Sequence, residues 1–236
     1  MSLIIKHKTK ITLYNSYFDL NNRLSAKSIL NIFQDVASIH GEEIGVGYLP
    51  MLEKNLYWVL SRIKFDILKM PEINQTVIVE TWPHEKGRID FDRDMKISSE
   101  DGEILLIATS KWCIIDTVNR SLQRTDNITF NGEYYHEKNY EDRFGKIILP
   151  ETEPLLKFTH YVDFSDLDHN HHMNNTNYAN LILNAVENKI FTHFEINFLN
   201  ECLEGYKIET YLLFSNNQSF VIGKVADKTV FTSVIY

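Results

Sequence analysis

The two halves of this chain repeat one order of predicted elements: a short extended segment, an amphipathic helix and four strand-like runs. A helix beside an antiparallel meander buries its apolar stripe against that sheet. The repetition therefore predicts an α+β fold built by internal duplication. The predicted strands cover 57–68, 76–82, 88–98 and 104–116 in the first half, and 194–202, 206–214, 219–225 and 229–236 in the second.

An apolar stripe at helical spacing marks each predicted helix, and the two stripes superpose at an offset of 150 residues. Ser25 is the predicted N-cap of the first helix, and Asn174, Asn175 or Thr176 is that of the second. The first stripe contains Ile29, Ile32, Phe33, Val36, Ala37 and His40. The second stripe contains Tyr178, Leu181, Ile182, Ala185 and Val186.

A polar stretch of low periodicity, roughly 125–153, separates the two halves. No linker rich in glycine, serine or proline interrupts the chain. We therefore expect an N-terminal repeat at 1–130, a connector at 131–155 and a C-terminal repeat at 156–236.

The composition narrows the classes of function. A net charge of -8 argues against a general nucleic-acid binder. The two cysteines, Cys113 and Cys202, lie far apart, which suits a reducing compartment and provides neither a disulfide framework nor a thiolate zinc site. No apolar run is long enough for a membrane span or a signal peptide, so we expect a cytoplasmic protein.

The segment DHNHHMNN, at 168–175, concentrates polar and imidazole side chains just before the second helix. A turn with only a structural role has no reason to be polar in one copy and apolar in the other. At the offset of 150 the first copy lacks an Asp/Asn/His set, so the contrast predicts one functional site per chain. Under that offset Asp168, Asn170 and His172 align with Phe18, Leu20 and Asn22.

These residue types suit the transfer of an acyl group to water. His172 can accept or donate a proton near neutral pH, and Asp168 can fix its tautomer or stabilise its charged form. The amide of Asn170, or backbone N–H groups at the start of the following helix, can bind the oxyanion of a tetrahedral intermediate. Thioesters are activated acyl donors, so a positioned water and one base could hydrolyse them without a covalent intermediate.

Two other interpretations of this segment remain open. A metal site would use His169, His171 and His172, although adjacent residues in a turn rarely converge on one ion. A solvated turn that caps the helix would explain Asn174 and Asn175. Without a metal, His169 and His171 are expected to be exposed spacers.

Two signatures make the chain resemble the acyl-[acyl carrier protein] thioesterases of the plant fatty-acid-releasing and bacterial type. The pattern Asp-x-Asn-x-His-x-Asn-Asn is met from Asp168 to Asn175, and EINFLNEC supplies a Glu-Cys pair at Glu201 and Cys202. Similar segments also occur at 25–45, 55–67, 79–82 and 108–116, so the resemblance spans nearly the whole chain. The sequence begins without a plant transit peptide, which favours a bacterial relative.

The resemblance implies a double hotdog fold, in which each of two tandem repeats is a long helix wrapped by an antiparallel sheet. It also implies hydrolysis of fatty acyl-acyl carrier protein, with release of free fatty acid in fatty acid biosynthesis and no cofactor or metal. By the same resemblance the N-terminal repeat shapes the acyl pocket, and Asn174 and Asn175 brace the site. The implied catalytic residues are Asp168, Asn170, His172 and Glu201.

Two mechanisms remain open for such a site. In one, Glu201 and His172 activate a water, Asn170 orients or polarises the carbonyl group, and Asp168 holds the network. In the other, Cys202 is the nucleophile and His172 its base. Strand alternation places Cys202 on the apolar face and Glu201 on the opposite face, unless a bulge or the end of the strand intervenes. A buried thiol is a poor thiolate, which favours attack by water.

The expected partner is an acyl carrier protein whose phosphopantetheine holds the fatty acyl chain. Carrier proteins are acidic, so we expect a local basic patch, with candidates at Lys86, Arg88, Arg93, Lys96, Lys111, Arg120 and Arg124. The alternatives are a hotdog acyl-CoA thioesterase and, less favoured, a non-catalytic hotdog protein that binds acyl ligands. No nucleic-acid partner is expected, and exposed sheet edges would allow a homodimer.

Overall fold

The computed structural model describes residues 4–142 and 144–236, and the chain divides into two units, Met1–Arg143 and Phe144–Tyr236. The first unit contains β1 (Ile4–Ile5), β2 (His7–Thr12), α1 (Ala26–Glu43), α2 (Tyr48–Leu52), β3 (Leu56–Ile67), β4 (Thr76–Pro83), β5 (Asp90–Ser99), β6 (Ile104–Asp116) and β7 (Glu133–Tyr134). The second contains β8 (Leu155–Tyr161), α3 (Tyr178–Ala185), β9 (His193–Phe198), β10 (Lys207–Ser215), β11 (Gln218–Val225) and β12 (Lys228–Ile235).

The two units have the same sheet topology. The first orders its strands β2-β4-β5-β6-β3, and the second orders the equivalent strands β8-β10-β11-β12-β9, with antiparallel pairing throughout both series. The predicted duplication is therefore confirmed. Seven of the eight predicted strands end within two residues of the observed limits, whereas the predicted strand 194–202 is wrong at its end because β9 stops at Phe198.

Each unit places its helix against corresponding strands. α1 contacts β2 and β4, and α3 contacts β8 and β10. All six residues of the first predicted stripe are buried, and so are all five of the second. Burial of an aliphatic or aromatic side chain contributes about 1.5–3 kcal/mol, so these stripes hold the helices on their sheets.

The starts of the helices follow from their caps. The Ser25 hydroxyl accepts a hydrogen bond from the Ser28 amide at 3.1 Å, as predicted for the N-cap of α1. The Asn174 side chain accepts one from the Thr176 amide at 2.9 Å. That bond caps a single 3-10 turn at Asn175–Asn177, and α3 continues directly from this turn.

Part of the predicted connector, 131–155, lies along the first sheet. β7 pairs in parallel with β1 in a separate two-stranded sheet, and the indole of Trp82 in β4 donates to the Glu137 carbonyl at 2.9 Å. The Asn139 side-chain amide donates to the carbonyls of Met95 and Ala108 at 2.8 and 2.9 Å. Asn139 therefore satisfies backbone groups of the sheet. The division between the two units falls inside the range predicted as a connector.

Candidate active site

The DHNHHMNN segment forms a closed loop between β8 and α3. A 3-10 turn, Phe164–Asp166, leads into it, and an isolated bridge joins Leu167 to Met173. Within the loop the Asp168 amide donates to the His172 carbonyl at 2.8 Å, and the His171 amide donates to the Asp168 carbonyl at 3.0 Å. His171 has a φ of +63°, the left-handed conformation that closes such a turn.

The Asp168 carboxylate holds the backbone of this loop. Its Oδ1 accepts hydrogen bonds from the amides of Asn170, at 2.8 Å, and His172, at 3.3 Å. In the described part of the chain, no hydrogen bond joins this carboxylate to the His172 imidazole. Asp168 therefore orients His172 through the main chain, as the aspartate of an Asx turn does.

The carboxylate that meets the imidazole belongs to Glu201. Nε2 of His172 lies 3.2 Å from Oε2 of Glu201, with the histidine side chain 17% exposed and the glutamate side chain 37% exposed. A half-buried imidazole next to a carboxylate can exchange a proton with it while both still reach solvent or substrate. The structure thus joins two of the predicted residues that lie on different segments.

Glu201 and Cys202 lie beyond the end of β9, and hydrogen bonds fix this irregular segment. The Asn200 side chain donates to the Thr229 carbonyl at 2.7 Å, and the Met173 amide donates to the Cys202 carbonyl at 2.8 Å. The second bond ties the loop directly to the segment that carries Glu201. The burial follows the predicted alternation, with Cys202 fully buried and Glu201 exposed.

Burial also governs the chemistry of the Cys202 thiol. Desolvation raises its pKa, and the smaller opposing effect of the neighbouring Tyr178 does not cancel the rise. The thiolate form is therefore less available at neutral pH than in an exposed cysteine.

The same loop occurs in the first unit, and it corrects the predicted alignment. Oδ1 of Asp19 accepts from the amides of Asn21, at 2.8 Å, and Arg23, at 3.0 Å, and the Asp19 amide donates to the Arg23 carbonyl at 2.9 Å. Asn22 has a φ of +55°, and a bridge joins Phe18 to Leu24. Asp168 follows Asp19 by 149 positions, so the offset of 150 is wrong by one residue.

The correct alignment changes what is special about the second loop. Asp19 and Asn21 stand where the second unit has Asp168 and Asn170, so the expected contrast between a polar and an apolar copy is wrong. The carboxylate is present in both copies because the turn needs it. The imidazole is not, since Arg23 occupies the place of His172. Of the three motif positions, the histidine alone distinguishes the candidate site from its structural counterpart.

The remaining predicted residues have simpler surroundings. His169, Asn170 and His171 are exposed. The side-chain oxygen Oδ1 of Asn174 accepts from both the amide and the hydroxyl of Thr176 at 2.9 Å, which is a capping role, and Asn175 is half-buried in the same turn. In residues 4–142 and 144–236, no group of three or more His, Cys, Asp or Glu side chains is arranged to hold a metal ion.

Sequence reasoning missed Tyr178 as a member of the site. It treated this residue as part of the apolar stripe, and the side chain is indeed only 2% exposed. Its hydroxyl nevertheless lies close enough to Cys202, Asp168 and Glu201 for their negative charges to act on it. Burial, followed by those nearby negative groups, raises the pKa of the Tyr178 hydroxyl. The signal that could have revealed it is the alignment at 149, which places Tyr178 opposite Ile29.

Of the predicted basic candidates, Arg93 does not reach the surface, and three others are paired with carboxylates. Arg93 lies on the inner face of β5 and is buried, where its Nη1 contacts Nδ1 of His40 at 3.0 Å. Lys96 is paired with Glu137, Lys111 with Asp90 and Asp92, and Arg124 with Asp126. The remaining candidates are exposed: Lys86 and Arg88 lie in the loop before β5, and Arg120 lies in the turn after β6.

Family comparisons agree with this geometry. The model of the acyl-ACP thioesterase N-terminal domain matches residues 3–130, and that of the acyl-ACP thioesterase C-terminal domain matches residues 152–226. The chain belongs to the acyl-ACP thioesterase family. Within this family member, the second matched range contains the loop, Glu201 and Cys202.

Curated members of the acyl-ACP thioesterase family are similar over most of this chain. Oleoyl-acyl carrier protein thioesterase 2 of Arabidopsis thaliana is 28% identical over 80% of the chain and 56% of its own length. Palmitoyl-acyl carrier protein thioesterase of Gossypium hirsutum is 28% identical over 74% of the chain and 46% of its length. Both are chloroplastic proteins, and the chain spans about half the length of such curated relatives.

Solved structures of family members establish the fold. An acyl-ACP thioesterase from Bacteroides thetaiotaomicron superposes with a TM-score of 0.88 at 22% identity, covering 98% of this chain and 97% of that one. The 12:0-ACP thioesterase from Umbellularia californica gives 0.80 at 18% identity, covering 98% and 96%. The predicted double hotdog fold is confirmed. Over the described ranges, no helix has the length and apolar character needed to span a bilayer.

Proposed function

We propose that this protein hydrolyses the thioester of fatty acyl-acyl carrier protein and releases free fatty acid. The observation that supports this most directly is the 3.2 Å contact between His172 and Glu201, in a loop whose other copy has an arginine in place of the histidine. A proton-transfer pair of this kind is what hydrolysis of an activated ester requires. Family membership supplies the substrate class.

In the proposed reaction the His172–Glu201 pair removes a proton from a water molecule, whose oxygen attacks the thioester carbonyl. A C–O bond forms, and the carbonyl oxygen becomes an oxyanion, which Asn170 and backbone N–H groups near the start of α3 stabilise. The intermediate then collapses, the C–S bond breaks, and the phosphopantetheine thiol leaves with a proton returned by the pair. Asp168 contributes by holding the backbone on which His172 stands.

Attack by water is favoured over attack by Cys202. The thiol is fully buried and its raised pKa makes the thiolate scarce, whereas Glu201 is exposed and already in contact with the imidazole. Cys202 instead contributes its carbonyl, which binds the Met173 amide.

The other parts of the proposal concern the partner and the arrangement of the chain. The N-terminal repeat, 1–130, shapes the acyl pocket, the connector is 131–155, and the C-terminal repeat, 156–236, carries the catalytic residues. An acyl carrier protein in the cytoplasm delivers the substrate. The same chemistry would hydrolyse acyl-CoA, so a direct comparison must decide whether the acyl chain is carried by acyl carrier protein or by CoA.

A substrate panel tests this function. Carrier proteins loaded with saturated chains of eight to eighteen carbons are incubated with the protein, and free thiol is measured over time. We expect release from at least one chain length. The same acyl chain on CoA is the control, and faster release from CoA would make acyl-CoA the substrate. Absence of release from every thioester would overturn the proposed function.

A further inference from the structure

A second histidine–carboxylate pair lies beside the DHNHHMNN loop, and the proposed reaction does not use it. Nε2 of His160, in β8, lies 2.7 Å from Oδ2 of Asp166, two positions before Asp168. The two side chains are 29% and 17% exposed, so protein covers most of both. The same Oδ2 accepts a hydrogen bond from the Asp163 amide at 3.1 Å. An ionised carboxylate only accepts hydrogen bonds, so the imidazole is the donor in this pair.

Asp166 also joins the two ends of the loop. Its carbonyl accepts hydrogen bonds from the Asn174 amide at 2.8 Å and from the Asn177 side chain at 3.0 Å. The side chain of His160 ties this junction to the sheet, because β8 pairs with β10. His172 lies between the two points that Asp166 joins, so the place of its imidazole depends on how firmly Asp166 is held.

The first unit forms the same backbone frame without such a pair. The Ser25 amide donates to the Tyr17 carbonyl at 3.0 Å, which is the equivalent of the bond between Asn174 and Asp166. At the offset of 149, Ile11 stands in the place of the histidine, and its side chain has no polar group. The shape of the loop therefore does not require the histidine–carboxylate pair. The pair adds a restraint in the unit that carries the candidate site.

We propose that His160 is a positioning residue, which holds Asp166 and, through it, the backbone that carries His172. The inference rests on the proposed hydrolysis for its effect on rate. Its physical basis is that displacement of a catalytic group by about 1 Å can cost on the order of 10²-fold in rate. Loss of the His160–Asp166 bond should therefore slow the chemical step while substrate binding is kept.

Two substitutions at position 160 test the role of the bond. His160→Ile introduces the side chain that the first unit has at the equivalent position, and His160→Gln keeps an N–H donor on a side chain of similar length. We expect His160→Ile to lower kcat on the best carrier-protein substrate by about tenfold, with KM nearly unchanged. His160→Gln should restore most of that loss, because its amide can still donate to Asp166.

Asp166→Ala removes the other half of the pair, and it provides the same test should His160→Ile fail to fold. It should lower kcat at least as much as His160→Ile, because the carboxylate also holds the Asp163 amide. In the double variant kcat should be no lower than in Asp166→Ala alone, since both changes remove the same bond. Losses that multiply in the double variant would mean that the two side chains act independently, which would overturn the proposal.

His84→Ile is the matched control, because it removes a pair of the same kind in the first unit. Nε2 of His84 lies 3.1 Å from Oδ2 of Asp94. This variant should keep the wild-type kcat, whatever it loses in the free energy of unfolding, which urea unfolding measures for every variant. A loss of kcat as large as that of His160→Ile would show that the effect comes from general destabilisation.

A second measurement does not depend on activity. Exchange of the Asn174 amide hydrogen reports on its bond to the Asp166 carbonyl, and His160→Ile should accelerate this exchange by about tenfold. The Ser25 amide, which makes the equivalent bond in the first unit, is the internal reference and should exchange as in wild type. A variant that is only less stable would accelerate both amides together.

The outcomes separate the two proposals. If wild-type protein hydrolyses no thioester, the proposed function fails, and the exchange of Asn174 relative to Ser25 alone decides the role of His160. If wild-type protein is active, the positioning role is overturned by a wild-type kcat in His160→Ile, by a His160→Gln enzyme that is equally slow, or by unchanged Asn174 exchange.

Discussion

Nε2 of His172 and Oε2 of Glu201 lie 3.2 Å apart, although neither residue belongs to a regular element. One stands in a turn closed by Asp168, and the other follows the end of β9. Their approach depends on the bond between the Met173 amide and the Cys202 carbonyl. The geometry of the proposed proton transfer is therefore set by a few hydrogen bonds between loops.

Replacement of the imidazole should remove most of the activity. We expect His172→Gln to lower kcat by roughly 10²–10⁴-fold, the usual contribution of a positioned acid–base group. Stability should change little, because the turn is held by Asp168 and the first unit forms the same turn with Arg23. Kinetics on acyl carrier protein and thermal unfolding measure the two effects.

His169→Gln is the matched control for that variant, since it makes the same change at an exposed position in the same loop. It should retain full activity. An inactive His169→Gln enzyme, or an active His172→Gln enzyme, would contradict the assignment.

Glu201 and Cys202 should differ sharply in their importance for hydrolysis. We expect Glu201→Ala to lose most activity, because the carboxylate beside His172 is removed. Cys202→Ala should keep at least about a tenth of wild-type kcat, because alanine still supplies the backbone carbonyl that binds the Met173 amide. Steady-state rates on one substrate provide the comparison, and the opposite ranking would identify Cys202 as the nucleophile.

Asp168 and Asp19 should contribute similarly to stability. In each of these residues Oδ1 accepts two backbone hydrogen bonds. We therefore expect Asp168→Ala and Asp19→Ala each to lower the free energy of unfolding by about 1–3 kcal/mol. Urea unfolding of each variant gives the values. Asn retains an acceptor oxygen, so Asp168→Asn should recover part of the loss. A stability loss confined to one of the two alanine variants would show that the loops are not equivalent.

His40 should make stability depend on pH. Burial, and next the nearby positive charge of Arg93, lower the pKa of His40 to about 3. In the unfolded chain the pKa of a histidine is about 6.5. The unfolded chain therefore binds the extra proton between these values. The contribution of neutral His40 to the free energy of unfolding is therefore complete above about pH 6.5, and it is lost as the pH falls toward about 3.

Urea unfolding at pH 7 and pH 5 checks this dependence. We expect wild-type protein to lose about 2 kcal/mol more than His40→Gln over that interval. His136→Gln, at an exposed position, should behave like wild type. Equal losses in wild type and His40→Gln would mean that His40 is protonated in the folded protein.

The sequence was sufficient for the elements and their duplication, but not for the register of the two loops. Apolar residues are adjacent in both helices, as at Ile32–Phe33 and Leu181–Ile182, so a shift of one residue still matches apolar with apolar. Hydrogen bonds of Asp19 and Asp168 decide the register, and no hydrophobic pattern encodes them.

Within the candidate site, Glu201 was predictable from the sequence, whereas the place of Tyr178 in the site was not. Glu201 was found through the family signature, because no local spacing rule relates it to His172 across 29 positions. Tyr178 was predicted to be buried, and it is, but periodicity describes where a ring lies and not which charged groups lie near its hydroxyl. The contacts of residues in irregular segments can therefore be identified only from a three-dimensional structure.

The shared turn has an evolutionary consequence. Asp19 and Asp168 shape their loops through bonds to backbone amides, without help from the side chain four positions later, Arg23 or His172. The residue at that position can therefore change after duplication while the loop keeps its form. Arginine in one copy and histidine in the other are thus two outcomes on one inherited scaffold. Gain or loss of a reactive group at that position is a single mutational step, separable from selection on folding.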